Sequence, residues 1–231
     1  MNSTKKAARV AGLLYLLAGI PAPFVLIYIP RKLIVPGNAT ATAHNILASE
    51  SLFRIGIAGE LIIAAFFLFV PLAMYRLLKG VNKGQASLMV TLFAVSVPIS
   101  FVNALNSIAA LMLARGADFL SVFDQSQREA LAMLFLRLHS QGFVAAQIFW
   151  GLWLFPLGLL VYKSRFLPRV LGILLMINCF AYLADSFTSL LWPAYLHAVS
   201  QATFAPKFGE LAIMLWLLII GAKDQPLDAP E

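Results

Sequence analysis

The chain has 231 residues, 61% of them hydrophobic and only 12% charged, with a mean hydropathy of +0.86. Ordinary soluble domains carry roughly 25% charged residues, so a chain this poor in charge cannot clothe a water-exposed surface, and lipid must be the solvent for much of it. The net charge of +7 does not call for a nucleic-acid partner, because the basic residues fall in short clusters between apolar runs, where topology and anionic headgroups explain them.

Six apolar runs follow, each long enough to cross a bilayer. The first covers residues 10–29 after Lys5, Lys6 and Arg9. It is longer than a signal-peptide core and carries Pro21 and Pro23, so it reads as a retained span. Residues 30–51 read as a polar loop, and the second and third spans cover 52–78 and 86–114. The stretch 115–138 holds most of the loop acids. Within it Ser126, Gln127, Arg128 and Glu129 have capping-box spacing, and Leu131, Leu134, Phe135 and Leu138 recur at helical spacing. This predicts a short outer amphipathic helix at the interface, which can continue straight into the fourth span, 140–162. The fifth span is 166–191. The sixth, 206–222, opens near Pro206, a residue suited to a first helical turn. The whole chain, 1–231, reads as one all-α transmembrane bundle.

Lys and Arg set the orientation. With the N-terminus in the cytoplasm, ten basic residues lie inside and seven outside. Two tight inner loops, Arg76 to Lys83 and Lys163 to Arg169, hold three basic residues each and no acid. Both termini are therefore expected in the cytoplasm of an inner-membrane protein. Tyr75, Tyr162 and Trp192 near span ends read as interfacial anchors. Gly12, Gly19, Gly56, Gly59, Gly151 and Gly158 read as close-packing positions.

Ionisable residues inside spans cost roughly 2.5–3.5 kcal/mol each on insertion scales, so Glu60, Asp185 and Glu210 require a reason. At about 1.5 Å per residue, all three fall in the outer half of the membrane. On the third span Ser96, Ser100, Asn103 and Ser107 share one helical face, with Asn106 flanking it. Asn178, Tyr182 and Asp185 share a face of the fifth. His139 stands at the mouth of the fourth span, and Gln147 two turns deeper. If these faces converge, Glu60, Asn103, His139, Gln147, Asp185 and Glu210 form one outward-facing polar cavity for a ligand or proton. The plainer alternative is interhelical hydrogen-bond glue, worth about 0.6 kcal/mol per contact.

Several stretches, among them Phe166-Leu167-Pro168-Arg169, Tyr182-Leu183-Ala184-Asp185-Ser186 and Gly209-Glu210-Leu211, together with Leu138-His139 and Tyr75-Arg76-Leu77-Leu78-Lys79, resemble a family of bacterial multi-span proteins catalogued as domain of unknown function 4386. The resemblance implies about six spans in a bacterial inner membrane and carries no catalytic assignment. It also implies an acidic residue on the second helix at Glu60, where the family often has Asp.

Three functions compete. The first is binding or transport of a small molecule, lipid or ion, for which six spans are few and a homodimer would enlarge the pathway. The second is an accessory or signalling subunit whose polar cluster only holds helices together. The third is an intramembrane lipid hydrolase. His139 with Asp185 and Glu210 supplies a nitrogen and two carboxylates for a metal, or Ser186 with His139 and Asp185 supplies a triad. Against both, the zinc-protease motif His-Glu-x-x-His and the Gly-x-Ser-x-Gly elbow are absent. Cys179 is the only cysteine, which gives no basis for a thiolate metal site. The balance favours a non-enzyme without cofactor, with membrane lipids as partners.

Overall fold

The computed structural model describes residues 3–223. Helices joined by turns make up these residues, and no strand occurs among them. Proline decides where several long helices break. α1 (Ser3–Gly19) stops at Pro21, and Pro23 opens a π-helical segment, Pro23–Tyr28, that continues as α2 (Ile29–Leu33). α4 (Glu50–Phe67) gives way to α5 (Phe69–Leu78) at Leu68, and α7 (Gln125–Leu152) to α8 (Leu154–Lys163) at Trp153. These two breaks share one cause. Pro71 and Pro156 lack an N–H and crowd the carbonyl four residues earlier, which belongs to Phe67 and Leu152, the last residues of α4 and α7. Pro98 lies inside α6 (Lys83–Arg115) without ending it. α9 (Arg169–Leu191) and α11 (Phe208–Ile219) complete the long elements.

Six helical stretches are long and apolar enough to cross a membrane: Thr4–Leu33, Glu50–Leu78, Lys83–Arg115, Gln125–Lys163, Arg169–Leu191 and Pro193–Ile219. Their large apolar side chains are widely exposed, among them Ile62, Val102, Leu105 and Phe180. On a water-soluble protein such a surface would aggregate; here it is the face that meets lipid.

Two sequence expectations change. The segment before His139 is the first half of α7, running straight on into the fourth span as the sequence allows. Its cap is two residues earlier than expected. Asp124 Oδ1 accepts the Gln127 backbone N–H at 2.8 Å, and Gln127 Oε1 accepts the Asp124 N–H at 3.0 Å, a reciprocal box that leaves Ser126 to donate to Asp124. Neither presumed loop is irregular throughout. Residues 30–51 contain α3 (Ala39–Ala48), started by Asn38, whose side chain accepts from the Ala41 N–H at 2.9 Å. The approach to the sixth span contains α10 (Leu196–Phe204).

The chain sorts into two compact units with boundaries inside the long helices. The first comprises Met1–Ala18, Phe66–Val97 and Val144–Glu231, and the second comprises Gly19–Ala65 and Pro98–Phe143. Each has its own apolar core. That of the first gathers Tyr15, Met74, Met89, Trp153, Leu175 and Leu217, with Phe67, Phe93 and Trp153 in mutual edge or stacked contact. That of the second gathers Ile29, Leu33, Ile46, Phe53, Leu111 and Leu136. In the first unit α8 and α9 cross at Gly158 and Gly172, where a Cβ on either would lie 2.6–2.7 Å from the other's carbonyl oxygen. Gly12, Gly59 and Gly151 are also tightly packed, whereas nothing lies within 4 Å of a Cβ at Gly19, which is therefore not a packing position.

Candidate functional site

In the second unit α4, α6 and α7 bring three of the expected residues together. Glu60 stands ten residues into α4, about 15 Å along its axis, and its Oε2 lies 2.8 Å from His139 Nε2 on α7. With Glu60 as a carboxylate, which can only accept, the donor of this hydrogen bond is the His139 Nε2–H. Both side chains are about four-fifths buried. Asn103 on α6 fixes the other end of the histidine: its Nδ2 donates to the His139 backbone carbonyl at 2.9 Å, and Asn106 donates to Asn103 Oδ1 at 3.1 Å. Gly142, one turn beyond His139, makes this possible. A Cβ there would sit 2.0 Å from Asn103 Oδ1, so the amide occupies space that only glycine leaves open.

Glu60 and His139 line a cavity of about 220 Å³ whose other walls are mainly apolar, including Val25, Ile29, Phe53, Leu136 and Phe143, with Ser107 and Ser140 as further polar members. A cavity of about 150 Å³ holds a benzene, so this pocket, which is open on one side, has room inside it for a single small organic group. A second cavity of about 290 Å³ in the same unit lies beside Thr40, His44, Arg128 and Glu129. There Glu129 accepts from Thr40 Oγ1 and from Gln125 Nε2 at 2.9 Å.

The other expected residues belong to the first unit and have their own partners. Asp185 on α9 pairs with Lys207 and accepts from Thr203 Oγ1 on α10 at 2.7 Å. Glu210 on α11 accepts from Tyr15 on α1, and Asn178 of α9 donates to the Lys207 backbone carbonyl at 3.4 Å. Lys207 Nζ lies 5.6 Å over the Tyr182 ring. Gln147 is partly buried on α7. Of the expected residues, the second unit thus joins Glu60, Asn103 and His139 beside one cavity, and the first unit holds Asp185 and Glu210 in two adjoining polar clusters, in which Asn178 Oδ1 is buried without a hydrogen-bond partner. Sequence reasoning missed Lys207, Thr203 and Tyr15: Lys207 reads as a loop cation, Thr203 falls in a presumed loop, and Tyr15 stands 195 residues from Glu210. Among the described residues no three His, Cys, Asp or Glu side chains are placed to hold a metal. Ser186 Oγ, the nucleophile of the triad alternative, is buried without a hydrogen-bond partner, so no base is in place to activate it.

Outside the spans, hydrogen bonds from the Ser126 side chain and the Gln127 backbone hold the Asp124 carboxyl below its ordinary pKa.

Six helices long and apolar enough to cross a membrane, in a fold with no strand among the described residues, define a multi-pass α-helical membrane protein. The chain belongs to the family described as "Domain of unknown function (DUF4386)", whose model matches residues 10–221. It is 31% identical over 167 residues to an uncharacterized protein of Archaeoglobus fulgidus, across 72% of this chain and 84% of that relative. No solved structure matches it.

Proposed function

We propose that the protein binds a small, largely apolar molecule at membrane depth, in the cavity of the second unit, with Glu60 and His139 holding its polar end. One observation carries this reading: a hydrogen-bonded carboxylate–imidazole pair in the wall of an otherwise mainly apolar cavity of about 220 Å³. An ionisable pair in an apolar wall carries a desolvation cost that helix packing alone does not require. A ligand that hydrogen-bonds the pair offsets part of it. The ion pair and hydrogen bonds around Asp185 and Glu210 support the second reading for those residues, that of holding α1, α9, α10 and α11 together.

The placement of Lys and Arg supports both termini in the cytoplasm of a bacterial inner membrane, which makes the cavity accessible from the outer leaflet. Transport, with a homodimer completing the pathway, is the natural extension of such a site.

Thermal unfolding of the detergent-purified chain with benzyl alcohol tests the binding reading. At ten times its Kd a ligand stabilises by about 1.4 kcal/mol. The wild type should gain stability, and Leu26→Trp, which fills the cavity from its wall, should not. Equal gains in both proteins would attribute the effect to the micelle and end the proposal.

A further inference from the structure

The polar wall of the cavity is mainly acceptors, with the Ser107 hydroxyl able to donate or accept, and it carries no permanent cation. Neither Lys nor Arg lines it. Glu60 Oε2 takes the Nε2 hydrogen of His139, and among the described residues Glu60 Oε1 receives no hydrogen bond. His139 Nδ1 receives no hydrogen from the described residues and accepts one whenever the imidazole is neutral with its hydrogen on Nε2. Ser140 gives its hydroxyl hydrogen to the Leu136 carbonyl at 3.2 Å, so it presents lone pairs as well. The donors of Asn103, well suited to an acidic ligand, are directed instead at the His139 backbone. A ligand that satisfies this wall must bring hydrogens, and one that balances Glu60 must bring positive charge. An ammonium group does both. A carboxylate or phosphate would meet the Glu60 charge at close range with only the imidazole to offset it, and a neutral alcohol would supply one donor and no charge.

Resting on the binding reading above, we propose that the natural ligand is a small lipophilic amine. Its ammonium is seated between Glu60 Oε1 and His139, and its alkyl or aryl stem lies against Phe53, Leu136 and Phe143. Scaled from benzene in about 150 Å³, roughly nine non-hydrogen atoms fit inside the pocket, the size of a benzylamine or a hexylamine.

The experiment is a calorimetric titration of the full detergent-solubilised chain with benzylamine, benzyl alcohol and benzoate, in the wild type, Glu60→Gln and Glu60→Asp. A charged hydrogen bond distinguishes the amine from the alcohol by about tenfold or more in Kd. The expected result is benzylamine tightest in the wild type, an amine-to-alcohol preference falling to about one in Glu60→Gln, and a preference retained in Glu60→Asp. If the preference survives Glu60→Gln, or if benzoate binds most tightly, the amine assignment is overturned. In that case alcohol binding that is lost in Leu26→Trp would leave the cavity reading intact. If none of the three compounds binds, the assignment fails together with the reading beneath it.

Discussion

Replacing Gly142 with alanine tests whether the second unit is built around the path of the Asn103 side chain. The added Cβ would lie 2.0 Å from Asn103 Oδ1 and 2.4 Å from its Cγ, so the amide must rotate away. Two hydrogen bonds go with it: Nδ2 to the His139 carbonyl at 2.9 Å, and Asn106 to Oδ1 at 3.1 Å. Intramembrane side-chain hydrogen bonds are worth about 0.6 kcal/mol on average, so their loss costs about 1.2 kcal/mol. A displaced rotamer adds about 0.5–1.5 kcal/mol. Against this, alanine gains up to about 1 kcal/mol over glycine within a helix. The net expectation is a destabilisation of about 1–2 kcal/mol in the wild-type background. In Asn103→Ala the clash and both bonds are already absent, so the same substitution should be neutral or stabilising. Denaturant or thermal unfolding of the four proteins of this cycle reads the reversal of sign. An equal effect of Gly142→Ala in both backgrounds would refute the argument that glycine is there to admit the amide.

Lys207→Met strands the buried Asp185 carboxylate without its cation, and losing one partner of a buried pair costs about 3–5 kcal/mol. Combining it with Asp185→Leu should recover much of the loss, as measured by the same unfolding assay. Gly158→Ala drives a Cβ to 2.7 Å from the Gly172 carbonyl and should cost about 1–3 kcal/mol by overpacking, whereas Gly19→Ala, with open space, should cost nothing measurable. The Asp124 carboxyl has a folded pKa below its unfolded one. Its contribution is therefore complete above the ordinary carboxylate range and is lost as pH falls through the folded value. Asp124→Ala should lower the unfolding temperature at neutral pH and converge with wild type in strong acid.

The spans were legible because sustained apolar runs of membrane length have few other uses. The polar stripe on α6 was legible for a related reason: Ser96, Asn103 and Ser107 recur at helical intervals, and all three are buried. Boundaries were less so. Asp124 and Gln127 form the same reciprocal pattern that Ser126 and Glu129 offer on paper, and only the competing partners decide between them. Glu129 is drawn to Thr40, 89 residues away, and is lost to the cap. α3 was hidden for a different reason: Asn38 caps a run rich in Thr and Ala, whose small side chains carry little amphipathic signal. Partnerships across long intervals were the least visible. Glu60 and His139 were both singled out, but their separation of 79 residues gives no register between α4 and α7. Lys207 gave no sign that it would neutralise Asp185, because a lysine before a span is equally at home facing water or headgroups.

The claim on which the account rests is that the Glu60–His139 cavity admits a small organic molecule. Placing a cysteine in its wall by Ser107→Cys, in a Cys179→Ala background, allows the rate of modification by a small thiol reagent to be followed with and without benzyl alcohol. The account predicts that the cysteine reacts and that benzyl alcohol slows the reaction in proportion to occupancy. A cysteine that reacts at the same rate at every benzyl alcohol concentration would contradict it.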